Sequence, residues 1–152
     1  MSLSAAERLN IQKLGVGLFD AASGAFYLPE MDWYFEASGR DYHALARLLV
    51  THPATVGAFE LVYPPSLTPP QFALAFASSL GLQDEPEAVQ FMLARLAAGQ
   101  SRAGAIVDAL IALNETMDPR YADAKQLLAN KAEVSDYYSV DLKGDARDLP
   151  TL

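Results

Sequence analysis

Apolar residues recur at three- and four-residue spacing along most of the chain, and glycines, prolines and short polar caps cut that pattern into segments of helical length. The clearest stretch runs from Glu85 to Leu113. Pro86 suits the first position of a helix, because its missing N–H would be unpaired there anyway, and Gly99 stops that helix. Ser101 then caps a second helix running to Leu113. Upstream, Ser4 and Glu7 form a capping box for a helix from about Ala5 to Ala22, which Ser23-Gly24 ends. Pro29 opens the next helix, which carries Trp33, Tyr34 and Phe35 and ends at Ser38-Gly39. Asp41 caps a third helix with Tyr42, Leu45, Leu48 and Leu49 on one face, and Pro53 opens a short fourth to about Leu61.

The segment Tyr63-Pro64-Pro65-Ser66-Leu67 cannot continue a helix, since each proline removes a donor and crowds the preceding turn. Thr68 and Gln71 then form a second capping box for a helix stopped by Gly81. Asp118-Pro119 caps the last helix, with Tyr121, Leu127, Leu128, Val134 and Tyr138 as its expected buried side. Residues 141–152 are polar without a sustained period and read as a tail or the start of a linker. No alternating run suggests a sheet. The expected fold is all-α, a compact bundle of about seven or eight short helices.

A faint internal echo points to two similar helical halves, 4–62 and 68–140, joined by the proline-rich linker. Pro29-Glu30, the aromatics at 33–35, Gly39 and Leu45, Leu48, Leu49 match Pro86-Glu87, Phe91-Met92-Leu93, Gly99 and Ile106, Ala109, Leu110. The second copy holds three more residues between its aromatic and its glycine.

Composition narrows the functional classes. The 51% hydrophobic content belongs to a globular chain, and 152 residues suffice for one sizeable core. Eleven basic against 19 acidic residues give a charge of -8, which argues against nucleic acid and anionic membranes as partners. With no cysteine there is no disulfide, thiolate metal site or Cys nucleophile. The first ten residues lack a signal peptide's basic start and apolar stretch, and no run approaches the roughly 18 apolar residues of a membrane span.

The segment Leu93 to Arg102, preceded by Phe91 and followed by an apolar helix, resembles an aromatic, spacer, Leu-x-x-Gly-x-Ser core, here Leu96, Gly99 and Ser101. That core belongs to a bacterial domain of unknown function found in type I secreted S-layer and haemolysin-type (RTX) calcium-binding proteins. Leu18-Phe19-Asp20 with Trp33-Tyr34 is similar to its opening segment, and Leu128 to Val140 to its closing helix. The resemblance spans most of Leu14 to Val140. It implies a non-catalytic helical region of a leaderless-secreted surface protein, acting in attachment or assembly, with lipopolysaccharide or another copy of the surface protein as partner. Where the family usually has Arg-x-Pro-Asp, this chain has Phe19 to Gly24. It also has no calcium-binding nonapeptides, so calcium binding by repeats does not carry over.

Among candidate sites, Trp33, Tyr34 and Arg40 offer flat rings and a guanidinium suited to a sugar or protein surface, and Tyr63 with Pro64 and Pro65 reads equally as a small recognition loop or as a rigid linker. Most of the patch formed by Phe26, Tyr27, Trp33, Tyr34 and Phe35 is expected to be core, with Trp33 or Tyr34 exposed. Asp20 to Glu30 imitates an EF-hand loop only loosely, because Phe19 and Ala21 would occupy ligand positions. Asp84, Glu85 and Glu87 favour a helix start without any metal. His43 and His52 are the only histidines, and nothing in the local sequence joins either to a serine and an aspartate. No catalytic residue, metal ligand or cofactor is expected. The alternative reading is a small cytoplasmic adaptor or regulator that binds a partner protein through an apolar helical groove.

Overall fold

The computed structural model describes residues 4–19, 28–53 and 55–136, which form an all-α bundle of eight α-helices with no strand among them. The helices are α1 (Ala5–Phe19), α2 (Leu28–Ala37), α3 (Tyr42–Thr51), α4 (Val56–Val62), α5 (Pro69–Ser79), α6 (Pro86–Ala97), α7 (Arg102–Glu115) and α8 (Ala122–Asp136). A 3₁₀ turn, Pro119–Tyr121, precedes α8. Among the described residues no helix is long and apolar enough to cross a membrane.

The local signals act as their chemistry dictates. Ser4 and Glu7 exchange backbone-to-side-chain hydrogen bonds of 3.0 Å in each direction, and Thr68 and Gln71 do the same at 2.9 and 3.3 Å. Asp41 accepts from the amides of His43 and Ala44, and Ser101 from that of Gly104. At the other ends, Gly81 and Gly99 take φ of +74° and +93°, where a side chain would be strained. The turn after α2 places both Gly39 and Arg40 at positive φ, +74° and +58°. Arg40 is held there by a hydrogen bond from its backbone N–H to the Phe35 carbonyl and by ion pairs to Glu36 at 2.8 Å and Glu7 at 3.0 Å, the latter tying the end of α2 to the start of α1.

Three expectations need correction. The fourth helix begins at Val56 and not at Pro53, because the Thr55 hydroxyl turns back to the Leu49 carbonyl and His52 O accepts from the amides of Thr55 and Val56. Asp118 caps the 3₁₀ turn, through Arg120 N at 3.0 Å, and α8 follows only after it. On α8 the buried positions are Ala124, Leu128 and Ala132, spaced by four, whereas Tyr121 and Leu127 are half-buried and Val134 is exposed. The small alanines let α8 lie close along α1. The Ser23-Gly24 stop, the EF-hand-like loop, Phe26, Tyr27, Tyr138 and the tail lie outside the described residues.

The core runs through both sides of the proline-rich segment. α1 packs against α8, α7, α4 and α3, and α3 packs against α7. Gly17 lets α7 approach: a Cβ there would stand 3.1 Å from both Ile106 and Leu110. On another side of α1 the Tyr63 ring stacks edge-on with Phe72 at 5.1 Å, and its hydroxyl donates to the Gly17 carbonyl at 3.1 Å. Gln12 is fully buried on α1, and its amide has no hydrogen-bond partner among the described residues. The segment between α4 and α5 is fastened by Arg102, whose guanidinium donates to the carbonyls of Pro64 (3.3 Å) and Leu67 and lies 5.0 Å over the Phe72 ring.

Candidate functional site

Small residues open a groove where α5, α6 and α7 meet. α5 and α6 pack against each other, and α6 packs against α7. Ala88 on α6 and Ala109 and Ala112 on α7 are too short to close the seam. The result is an apolar groove of about 250 Å³. Phe76 and Ala77 of α5, with Leu80 just past its end, line one side, Phe91 and Met92 of α6 another, and Leu113 of α7 a third. Thr116, Tyr121 and Glu87 close one end.

That end is charged. Arg120 bonds Glu87 at 2.9 Å and Asp118 at 2.7 Å, and these bonds, that to Asp118 foremost, hold its guanidinium above the ordinary arginine range. Burial pushes the Tyr121 phenol up, Arg120 opposes this, and the carboxylates of Glu87, Glu85 and Asp118 add to it. The carboxylates of Glu87, Glu85 and Asp118 outnumber the Arg120 guanidinium and the Lys125 ammonium, which donates to the Thr116 carbonyl at 2.8 Å, and leave this end of the groove slightly acidic. Beside it Met117 is 90% exposed, an unbranched apolar side chain of the adaptable kind found on binding surfaces.

The sequence-predicted site residues are dispersed. Trp33 projects into solvent, 66% exposed, with its ring edge-on to Tyr34 at 5.0 Å. Tyr34 is half-buried, and its hydroxyl lies 3.4 Å from His52 Nε2. Phe35 is core, as expected. The guanidinium of Arg40 is engaged by Glu7 and Glu36. Tyr63 is the correction: its ring is buried and its hydroxyl serves Gly17, so it presents no recognition surface.

One polar cluster was invisible in the sequence. His43 on α3 meets Asp108 on α7, with Nε2 to Oδ1 at 2.6 Å, and its Nδ1 stands 3.7 Å from Asp41. Gln100 donates to the other Asp108 oxygen at 3.0 Å, and Arg95 lies 3.7 Å from it. Burial acts to raise the Asp108 pKa, but the hydrogen bonds from His43 and Gln100 and the electrostatic pull of His43 and Arg95 outweigh it and hold it below the usual carboxylate range. The pair reproduces the His–Asp half of a triad. Among the described residues, however, no hydroxyl hydrogen-bonds to the ring, and its second nitrogen faces a carboxylate. No group of three His, Asp or Glu among the described residues could hold a metal ion.

No family model, no curated protein and no solved structure matches the chain.

Proposed function

We propose that the chain is a non-catalytic helical module of a secreted bacterial surface protein. It acts in assembly by receiving an apolar helical segment of a neighbouring protein in the α5–α6–α7 groove. The groove itself carries this reading: apolar walls of Phe76, Leu80, Phe91 and Met92 offer a seat for leucine-like anchors spaced by one helical turn. The incoming segment is basic next to its anchors, to meet the excess of carboxylates around Tyr121, and Met117 lies beside it. The resemblance in Leu93 to Arg102 and Leu128 to Val140 supports the surface-protein setting. Attachment through lipopolysaccharide draws less from this geometry, because Arg40 is engaged by two glutamates and the chain as a whole is acidic.

The test uses a labelled amphipathic peptide with leucines at helical spacing and lysines beyond its last anchor. Its anisotropy is expected to titrate with the full chain, and Ala112→Trp, which fills the groove, to weaken binding by about tenfold or more. Binding unchanged by Ala112→Trp defeats the groove reading. A small cytoplasmic adaptor would use the same groove, and a type I transporter gene beside this one would decide for the surface setting.

A further inference from the structure

A second cleft, of about 210 Å³, opens on a different side of α7, where α1, α3 and α7 meet. Its floor is apolar, formed by Leu14 and Val107 with the partly exposed Ile111 at the mouth. Three donors line the same cleft. Lys13 gives one N–H to Asn114 Oδ1 at 2.9 Å, which leaves two ammonium protons and the Asn114 amide N–H groups uncommitted. Tyr42 accepts from the Asn10 amide at 3.2 Å through its hydroxyl and keeps its own proton to donate. Burial holds Lys13 below the ordinary lysine range, Lys125 adding to the effect and Glu133 opposing it, so an anion at Lys13 would relieve an electrostatic cost. Glu115 also lines the cleft.

We propose that this cleft binds a small carboxylate bearing a short branched apolar tail. Lys13, Asn114 and Tyr42 hold the carboxylate, and the tail lies on Leu14, Val107 and Ile111. The ligand is a free branched acid or the corresponding amino acid, whose ammonium group would face Glu115. This site is independent of the α5–α6–α7 groove, so either can fail without the other.

The experiment follows the Ile111 and Leu14 methyl signals and the Lys13 side-chain signals of the full chain by NMR, with isovalerate, leucine and isoamylamine as probes. Saturable shifts are expected with isovalerate and leucine and none with isoamylamine. Lys13→Met is expected to weaken isovalerate binding by about tenfold or more, the scale of a charge-assisted hydrogen bond. Should Lys13→Met not fold, Asn114→Asp at the exposed helix end carries the test, with a similar loss expected from charge repulsion. Leucine binding more tightly than isovalerate, with the difference abolished by Glu115→Gln, identifies the amino acid as the ligand; equal affinities identify the free acid. The proposal is overturned if neither acid gives a saturable shift, if isoamylamine binds as well as isovalerate, or if a folded Lys13→Met or Asn114→Asp chain binds isovalerate unchanged.

Discussion

α1 and α6 are both rich in apolar residues, but they occupy opposite situations. α1 is covered by α3, α4, α7 and α8, and its seven buried residues run almost continuously from Ile11 to Leu18. α6 has only α5 and α7 as main neighbours and buries Met92 alone, leaving Phe91, Leu93 and Leu96 half-covered. Apolar content thus states what a helix is able to bury, and the number of neighbours decides how much it does bury. The unmet remainder on α6 is one wall of the groove. Glycine makes the other side of the contrast: Gly17 brings α7 so close to α1 that a Cβ there would press on Ile106 and Leu110.

The contrast can be broken at three levels. The largest effect is expected from truncation: Leu18→Ala, at a position with no exposed surface, should cost about 2–5 kcal/mol in urea unfolding. Phe91→Ala should cost clearly less, since its ring is half-exposed and rests partly against Arg95, 4.7 Å above it. Equal losses would erase the difference between the two helices. A smaller effect of opposite sign is expected at Gln12, where Gln12→Met keeps the volume and removes the unpaired buried amide. It should raise the unfolding midpoint, by about 1–3 kcal/mol in stability; a fall would mean that the amide earns its place in the core. The smallest concerns the junction of α3 and α7. Because the folded Asp108 pKa lies below its unfolded value, the group's contribution is present in full above the unfolded pKa and is lost as pH falls through the folded one. Wild type should therefore exceed Asp108→Asn in stability at neutral pH, with the gap closing below about pH 4. A gap that persists into acid would place the contribution in packing and not in charge.

What the sequence disclosed followed the reach of each signal. Caps and stops act within four residues, so Ser4, Asp41, Thr68, Ser101, Gly81 and Gly99 were legible and the helices between them were placed well. Pro53 misled because a proline permits a helix start without requiring one, and the Thr55 hydroxyl settled the local competition by bonding backward. Val134 misled because the face of α8 that meets α1 is written in alanines, which carry little hydrophobic signal despite full burial. The two clefts and the His43–Asp108 pair join residues from helices far apart in the chain, and no local period encodes such meetings. Tyr63 stood in a proline-rich stretch that read as surface, yet its own ring is the anchor that brings that stretch against α1.

Arg102 gives the same stretch a second property. The crossing from α4 to α5 is a strap whose carbonyls at Pro64 and Leu67 are latched by one guanidinium from the first turn of α7. Opening such a strap requires the latch to let go and also strains the buried Tyr63 ring beside it, a local free-energy cost smaller than that of unfolding the whole core. Proteolytic nicking between Pro64 and Leu67 would therefore time the breathing of the start of α7, while the remaining helices stay folded.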